Sequence, residues 1–380
     1  MSLLHNFDPK YKASAFHILG VAHAIADGNY PTCPFTSKSA FFSKALMDAG
    51  YKVFYYGVEG GKVECTKFIP IVSKKTFFKA YPTPEDTTKN HFSDADGPAW
   101  EEYFKKGPEE VRKNIVDPNR DIILPFFGYP QKSITDPSNL ITIEPGIGHP
   151  GSFAKYRIFE SYAYQNICYG KEGKDNHSKD WPHTYDEVIP NFYFPELYPF
   201  SAEKEDYLMF MGRITWGKGI SLAIEAANYL NTRIVIAGAG KLEEAVPSGI
   251  SLDNVDFKGV LKFDEKLEYV KKAKAFLAPS QYMEPFGHVV PEASFCGTPV
   301  ITTDFGAFSE TVIDGKTGFR CKVFRDFIRA IENIDTIDPY YCRYSAVQRY
   351  SIHKLLPKYI KYFDDILTLH LDEQGWYTVN

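Results

Sequence analysis

The sequence offers neither a disulfide framework nor a zinc site. Its six cysteines, Cys33, Cys65, Cys168, Cys296, Cys321 and Cys342, are scattered without a CxxC pair. That usage reads as the reduced, mostly buried thiols of a cytoplasmic protein. No run of about 18 apolar residues occurs, so no membrane span is expected. The N-terminal stretch MSLLHNFDPKYKAS lacks the apolar region of a secretion signal. Excess positive charge is missing as well. Lys and Arg number 43 against 48 Asp and Glu, for a formal net charge of -5. With no basic stripe carrying interleaved aromatics, this balance argues against a nucleic-acid partner. Internal repeats and low-complexity tracts are also absent.

What remains is 44% hydrophobic and 24% charged, the composition of a soluble globular chain. Its 380 residues suggest two domains, because single cores stop growing near ~250–300 residues. With 30 Phe and 26 Tyr, the walls of any binding cleft should be rich in stacking surfaces. The N-terminal half alternates strand and helix patterns. Strands are expected at Phe16–Val21, Lys52–Tyr56, Asp121–Leu124 and Leu140–Ile143, and a helix at Ser37–Ala49, closed by Gly50. Residues 74–119 are polar and Pro-bearing, and read as short helices or a mobile insertion. Pro190, Pro195 and Pro199 stiffen the chain at a domain boundary, which gives domains of 1–190 and 191–350.

The most informative stretch is Glu284-Pro285-Phe286-Gly287-His288-Val289-Val290-Pro291-Glu292. It follows an apolar run ending at Ala278-Pro279-Ser280 and precedes a second apolar run at Val300-Ile301. The order reads as buried strand, loop, helix, buried strand. A helix beginning near Gly287 leaves Pro291 in the first turn, where its missing N–H costs nothing. Free N–H groups and a positive dipole end attract an anion there, and Glu284 and Glu292 flank it as hydroxyl acceptors. An anion between polyol-binding carboxylates describes a sugar phosphate or a nucleotide sugar.

A second stretch agrees. The strand Tyr207–Met211 runs into Gly212-Arg213-Ile214-Thr215-Trp216-Gly217-Lys218-Gly219, and then into a helical pattern with Ile220, Ala223, Ala227 and Leu230 on one stripe. Most Arg and Lys residues are merely solvated. Arg213 and Lys218 instead border a helix N-terminus, where a planar fork and a point charge together suit a diphosphate.

From Val188 to Ile313 the chain closely resembles the retaining glycosyltransferases of family 4. The resemblance rests on Ile189-Pro190-Asn191, the Gly-Arg-x4-Lys-Gly turn and the strand Ile234–Gly238. It continues through Gly259-Val260, the Glu-x7-Glu segment, Gly297-Thr298-Pro299-Val300 and Gly306-Ala307-Phe308-Ser309-Glu310, in the family's order. It implies an α/β protein of GT-B architecture, with two Rossmann-like domains whose parallel sheets face a central cleft. The last helix, about 351–370, would pack back on the N-terminal domain. The stretch Lys354–Phe363 could also form an amphipathic surface helix in peripheral contact with a membrane. Arg213 and Lys218 would hold the donor diphosphate beside Gly212, Glu284 would contact the transferred sugar and Glu292 the ribose. Backbone N–H groups of Phe286, Gly287, His288 and Val289 would approach sugar and phosphate, with Val260 and Leu261 near the base. Neither a cofactor nor a metal is implied. The expected partners are a UDP- or GDP-sugar donor and a glycan acceptor.

The N-terminal half departs from the family pattern. The loop after the first strand, Ala24–Pro34, has one glycine and two prolines where family members commonly have a Gly-rich loop. Where the family commonly places a His, Leu140–Ile143 is followed by Glu144-Pro145-Gly146-Ile147-Gly148-His149. Either Glu144 takes that position or the glycines fold His149 back into it, and both are expected to line the site. Glu310 reads equally as a helix cap or a site residue. Asp94-Ala95-Asp96 has the DxD form of a metal site but occurs in a polar loop that produces it by chance. Gly238-Ala239-Gly240 is a weak dinucleotide fingerprint. Three functions are therefore carried forward: a metal-independent retaining transferase, a nucleotide-sugar-binding protein without transfer, and a Rossmann-type oxidoreductase.

Overall fold

The computed structural model describes residues 10–26, 34–82, 95–172 and 184–372. The chain forms two compact units. The first comprises Met1–Phe159, Glu172–Ile189 and Leu356–Asn380, and the second Glu160–Lys171 and Pro190–Leu355. Among the described residues no helix is long and apolar enough to cross a membrane.

Unit 1 holds a seven-stranded sheet of β1 (Phe16–Leu19), β2 (Val53–Val58), β3 (Lys67–Val72), β4 (Ile122–Pro125), β5 (Ile141–Ile147), β6 (Tyr156–Phe159) and β7 (Glu187–Val188). Its order is β3-β2-β1-β4-β5-β6-β7, with every pairing parallel. Unit 2 holds β8 (Glu205–Met211), β9 (Ile234–Ala237), β10 (Val255–Phe257), β11 (Ala273–Ala278), β12 (Val300–Thr303) and β13 (Gly318–Cys321). Their order is β10-β9-β8-β11-β12-β13, again all parallel. Counted within each unit, both sheets begin 3-2-1-4-5-6, the doubly wound order of Rossmann folds.

The central residues of β8, β9 and β11 in unit 2 are apolar because both faces of the sheet are covered. Alternate residues point to opposite faces. Leu208, Phe210, Ile234, Ile236, Ala275 and Leu277 join one core with the helices Ile220–Tyr229 and Phe324–Glu332. Tyr207, Met209, Val235, Ala237, Phe276 and Ala278 join the other core with the helices Phe263–Lys272, Val289–Phe295 and Pro339–Tyr350. A continuous apolar strand is the expected outcome of such double burial.

The stretch read as irregular between residues 74 and 119 contains two helices, Lys74–Ala80 and Pro98–Lys113. In the second, Ala99, Tyr103, Gly107 and Val111 recur every fourth residue and are buried together with Trp100. A Cβ on Gly107 would lie 2.3 Å from Ile134 Cδ1, so this stripe packs closely. The last helix, Ile352–Asp372, belongs to unit 1 from Leu356 onward. Its Tyr359 and Phe363 rings pack on Phe42 and Phe16, with centroids 4.9 and 5.0 Å apart.

Candidate functional site

Ligands of open parallel sheets collect outside the carboxyl ends of the strands, where the order reverses. In unit 2 that point lies between β8 and β11, which neighbour each other although 61 residues separate Met211 from Ala273. The Arg213–Lys218 turn leaves the end of β8, and the Ser280–Glu284 loop leaves the end of β11. A backbone bond from Gln281 N to Gly217 O, 2.8 Å, ties the two segments together.

Glycine makes this approach possible. Gly219 has φ +73°, and a Cβ there would lie 1.9 Å from Pro279 O. A Cβ on Gly238, at the end of β9, would overlap Gly212 O at 1.7 Å. Only residues without a Cβ allow three strand ends to close on one another here.

Lys218 and Glu284 meet across the joint. Lys218 Nζ lies 2.6 Å from Glu284 Oε1, which also accepts from Ser280 Oγ at 2.6 Å. Their side chains are 23% and 8% exposed. Burial pulls the Lys218 ammonium down, but attraction to Glu284, with help from Tyr282, outweighs it and leaves its pKa raised. The Tyr282 ring lies under the ammonium, 5.0 Å from Nζ to centroid. Glu284 Oε1 thus takes both bonds. Arg213 is exposed and forms no ion pair with a described residue.

The second glutamate is also paired. Helix Val289–Phe295 starts two residues after Gly287, which has φ +77° and abuts the Phe308 ring. Glu292 lies in its first turn, and both its oxygens accept from Lys266 Nζ at 3.1 Å. Phe286 is wholly buried, so only its backbone can meet a ligand. His288 Nδ1 lies 2.9 Å from Tyr193 Oη. Val289 and Leu261 are partly buried, and Val260 is exposed. Lys266, Ser280, Tyr282 and the exposed Trp216 are the residues that sequence reasoning missed. Lys266 stood in a charged helix that reads as a solvated face, and no local signal marks its partner.

Glu310 turns out to be a cap, though for a distant helix. Its carboxylate accepts from Tyr162 N at 3.0 Å and Ala163 N at 2.7 Å, at the start of helix Tyr162–Glu172.

Glu144 and His149 belong to unit 1. Glu144 is buried on β5, and its Oε2 accepts from Phe153 N at 2.7 Å and Ala154 N at 2.8 Å. Its Oε1 is buried without a partner. Burial, only partly offset by those two bonds and by Arg157, pushes its carboxyl up to about 7. The His149 ring packs edge-on against Phe35, 5.4 Å between centroids, above Gly128. The Ala24–Pro34 loop lies largely outside the described residues, as does Asp94. Among the described residues no group of three or more His, Cys, Asp and Glu could hold a metal ion.

Comparison with known proteins bears on this geometry. Residues 199–339 match the family Glycosyl transferases group 1. This stretch spans both the Lys218 turn and the Glu-x7-Glu segment. Over 147 residues the chain is 34% identical to a glycogen synthase of Mycobacterium tuberculosis, which covers 35% of each protein. It is 27% identical over 225 residues to an uncharacterized glycosyltransferase of Methanocaldococcus jannaschii, or 55% of this chain and 63% of that one. The chain thus spans about 29–63% of the length of the curated relatives it matches. Solved structures match along almost the whole chain. A glycosyltransferase involved in avilamycin A biosynthesis superposes with a TM-score of 0.65 at 19% identity, covering 93% of this chain and 98% of its own. Anabaena HepE in complex with UDP and glucose gives 0.60 at 15% identity, with 91% and 98% covered. These likenesses and the two doubly wound sheets identify the fold as GT-B.

Proposed function

We propose that the protein is a retaining, metal-independent glycosyltransferase of family 4, moving a hexose from a nucleoside diphosphate sugar to a glycan or another hydroxyl acceptor. The observation that carries this reading is the Lys218–Glu284 pair at the switch point of unit 2, inside the stretch that matches group 1 glycosyl transferases. GDP-mannose and UDP-glucose are the first donors to try. HepE, a structural neighbour, has been crystallised with UDP and glucose.

In this reading Arg213 and Lys218 face the diphosphate, and Glu284 accepts from a sugar hydroxyl. Glu292 accepts from the ribose. The bond from the sugar's anomeric carbon to the diphosphate breaks as the acceptor oxygen attacks from the same face. The acceptor's proton passes to the departing phosphate oxygen. Two preorganised cations at the developing anion supply the charge stabilisation that a divalent metal gives elsewhere, worth several kcal/mol. Glu144 and His149, both in unit 1, are carried forward as candidate site residues, as the family resemblance implies. We place the activity in the cytoplasm, in keeping with five free described cysteines, four of them buried.

Calorimetric titration with UDP-, GDP- and ADP-sugars and with NAD, first without metal and then with magnesium, tests the proposal. One sugar nucleotide should bind without metal, and Lys218→Ala should weaken it about a hundredfold, the scale of a lost charged contact. Binding of NAD alone would replace the proposal with an oxidoreductase. Donor binding with no transfer to any hydroxyl acceptor would leave a binding protein.

A further inference from the structure

We propose that Lys266 is a positioning residue for the donor nucleotide, setting both the direction and the effective charge of Glu292. The inference rests on the glycosyltransferase reading above and adds a residue to its nucleoside subsite. Lys266 lies in the first turns of helix Phe263–Lys272, just after Val260 and Leu261. Its Nζ donates to Glu292 Oε1 and Oε2 at 3.1 Å each, so the ammonium straddles the carboxylate. The side chains are 19% and 13% exposed, which makes this pair better shielded than a surface ion pair. The ring of Phe263 lies 4.9 Å from the ammonium and holds the stem in place.

Two consequences follow from this geometry. A carboxylate has about four lone-pair sites. Lys266 occupies one on each oxygen and leaves one on each, which matches two adjacent ribose hydroxyls. The second consequence is electrostatic. A nucleoside diphosphate brings several negative charges to a loop that already carries Glu284 and Glu292. Lys218 balances the first glutamate and Lys266 the second. Without Lys266, Glu292 would face the incoming anion as an unpaired, largely shielded charge, and like charges at short range repel. The alternative is that the pair simply clamps helix Phe263–Lys272 to helix Val289–Phe295.

Titration of the full chain with UDP, GDP and ADP separates these. Lys266→Met keeps the stem and removes the charge. It should weaken the nucleotide that the wild type prefers by about tenfold. Lys266→Arg should recover most of the loss, because a guanidinium can also span both oxygens. Glu292→Gln removes the charge that Lys266 balances. The double variant K266M/E292Q should therefore bind better than the product of the two single losses predicts. Wild-type affinity in K266M, or losses that multiply in the double variant, would overturn the inference. So would a lowered Tm with nucleotide affinity intact, which is the signature of a clamp. If the wild type binds none of the three nucleotides, the glycosyltransferase reading itself fails, and the inference falls with it.

Discussion

Lys218 and Glu144 are both held largely out of water, and their surroundings act on them in opposite ways. Lys218 has a carboxylate 2.6 Å away, and that attraction keeps its ammonium charged despite burial. Glu144 has only two backbone N–H groups on one oxygen and none on the other, so burial prevails and its carboxyl rises from the ordinary 4.5 to about 7. Arg157 nearby lowers it and Asp186 raises it, without reversing the outcome. The sign of the linkage follows. Between pH 4.5 and 7 the folded state holds a proton that the unfolded state has released, so stability falls as pH rises through this window. The shift corresponds to about 3 kcal/mol lost by pH 8 relative to pH 4. Glu144→Gln should lack that loss, since an amide oxygen can still accept from Phe153 and Ala154. Urea denaturation at pH 5 and 8 would check this, and an equal pH slope in both proteins would refute it. The sequence pointed to Glu144 from its place after an apolar strand, but not to its burial. That burial depends on the return of residues 153 and 154 onto β5.

The turns that carry the site were legible because glycine has no substitute there. Gly212, Gly217 and Gly219 around Lys218 could be read as a tight strand-to-helix connection before any contact was known. The structure supplies the reason, since Gly219 combines φ +73° with a 1.9 Å approach to Pro279 O. Gly219→Ala should therefore cost about 3 kcal/mol or more, as strained backbone and overlap add. It should also loosen Lys218 from Glu284, so donor affinity should fall along with Tm. Melting curves and titration of the same sample test both, and an unperturbed Tm would sink the argument. Helix Pro98–Lys113 was less legible for a related reason. Gly107-Pro108 in its middle reads as a break, and a polar, proline-bearing sequence surrounds it. Tertiary packing overrides that local signal. Trp100 stacks on Phe127 at 5.2 Å, and Tyr103 Oη donates to Gly20 O at 2.6 Å. Neither partner could be found from spacing within the helix.

At the scale of the whole chain, the two sheets repeat one winding rule, which the family resemblance implied and the alternating strand and helix patterns agreed with. Pairings between distant residues were not visible. Lys266 with Glu292 is one such case, and the last helix is another. Phe363 reaches back across almost the entire sequence to Phe16, and with Tyr359 and Phe42 it completes the core of unit 1. Phe363 is 2% exposed, and removing such a ring from a packed core costs about 3–5 kcal/mol. Lys218, Glu284 and Glu292, the residues proposed to meet the donor, and Lys266 behind Glu292 all belong to unit 2. Phe363→Ala should consequently speed hydrogen exchange in β1, β2 and β4 while leaving β8 and β11 protected. Affinity for the preferred nucleotide should stay within about twofold of wild type, as expected for independent sites. Exchange that rises equally in both sheets would mean that the two units unfold as one cooperative body. The stability of unit 1 could not then be tuned apart from donor binding.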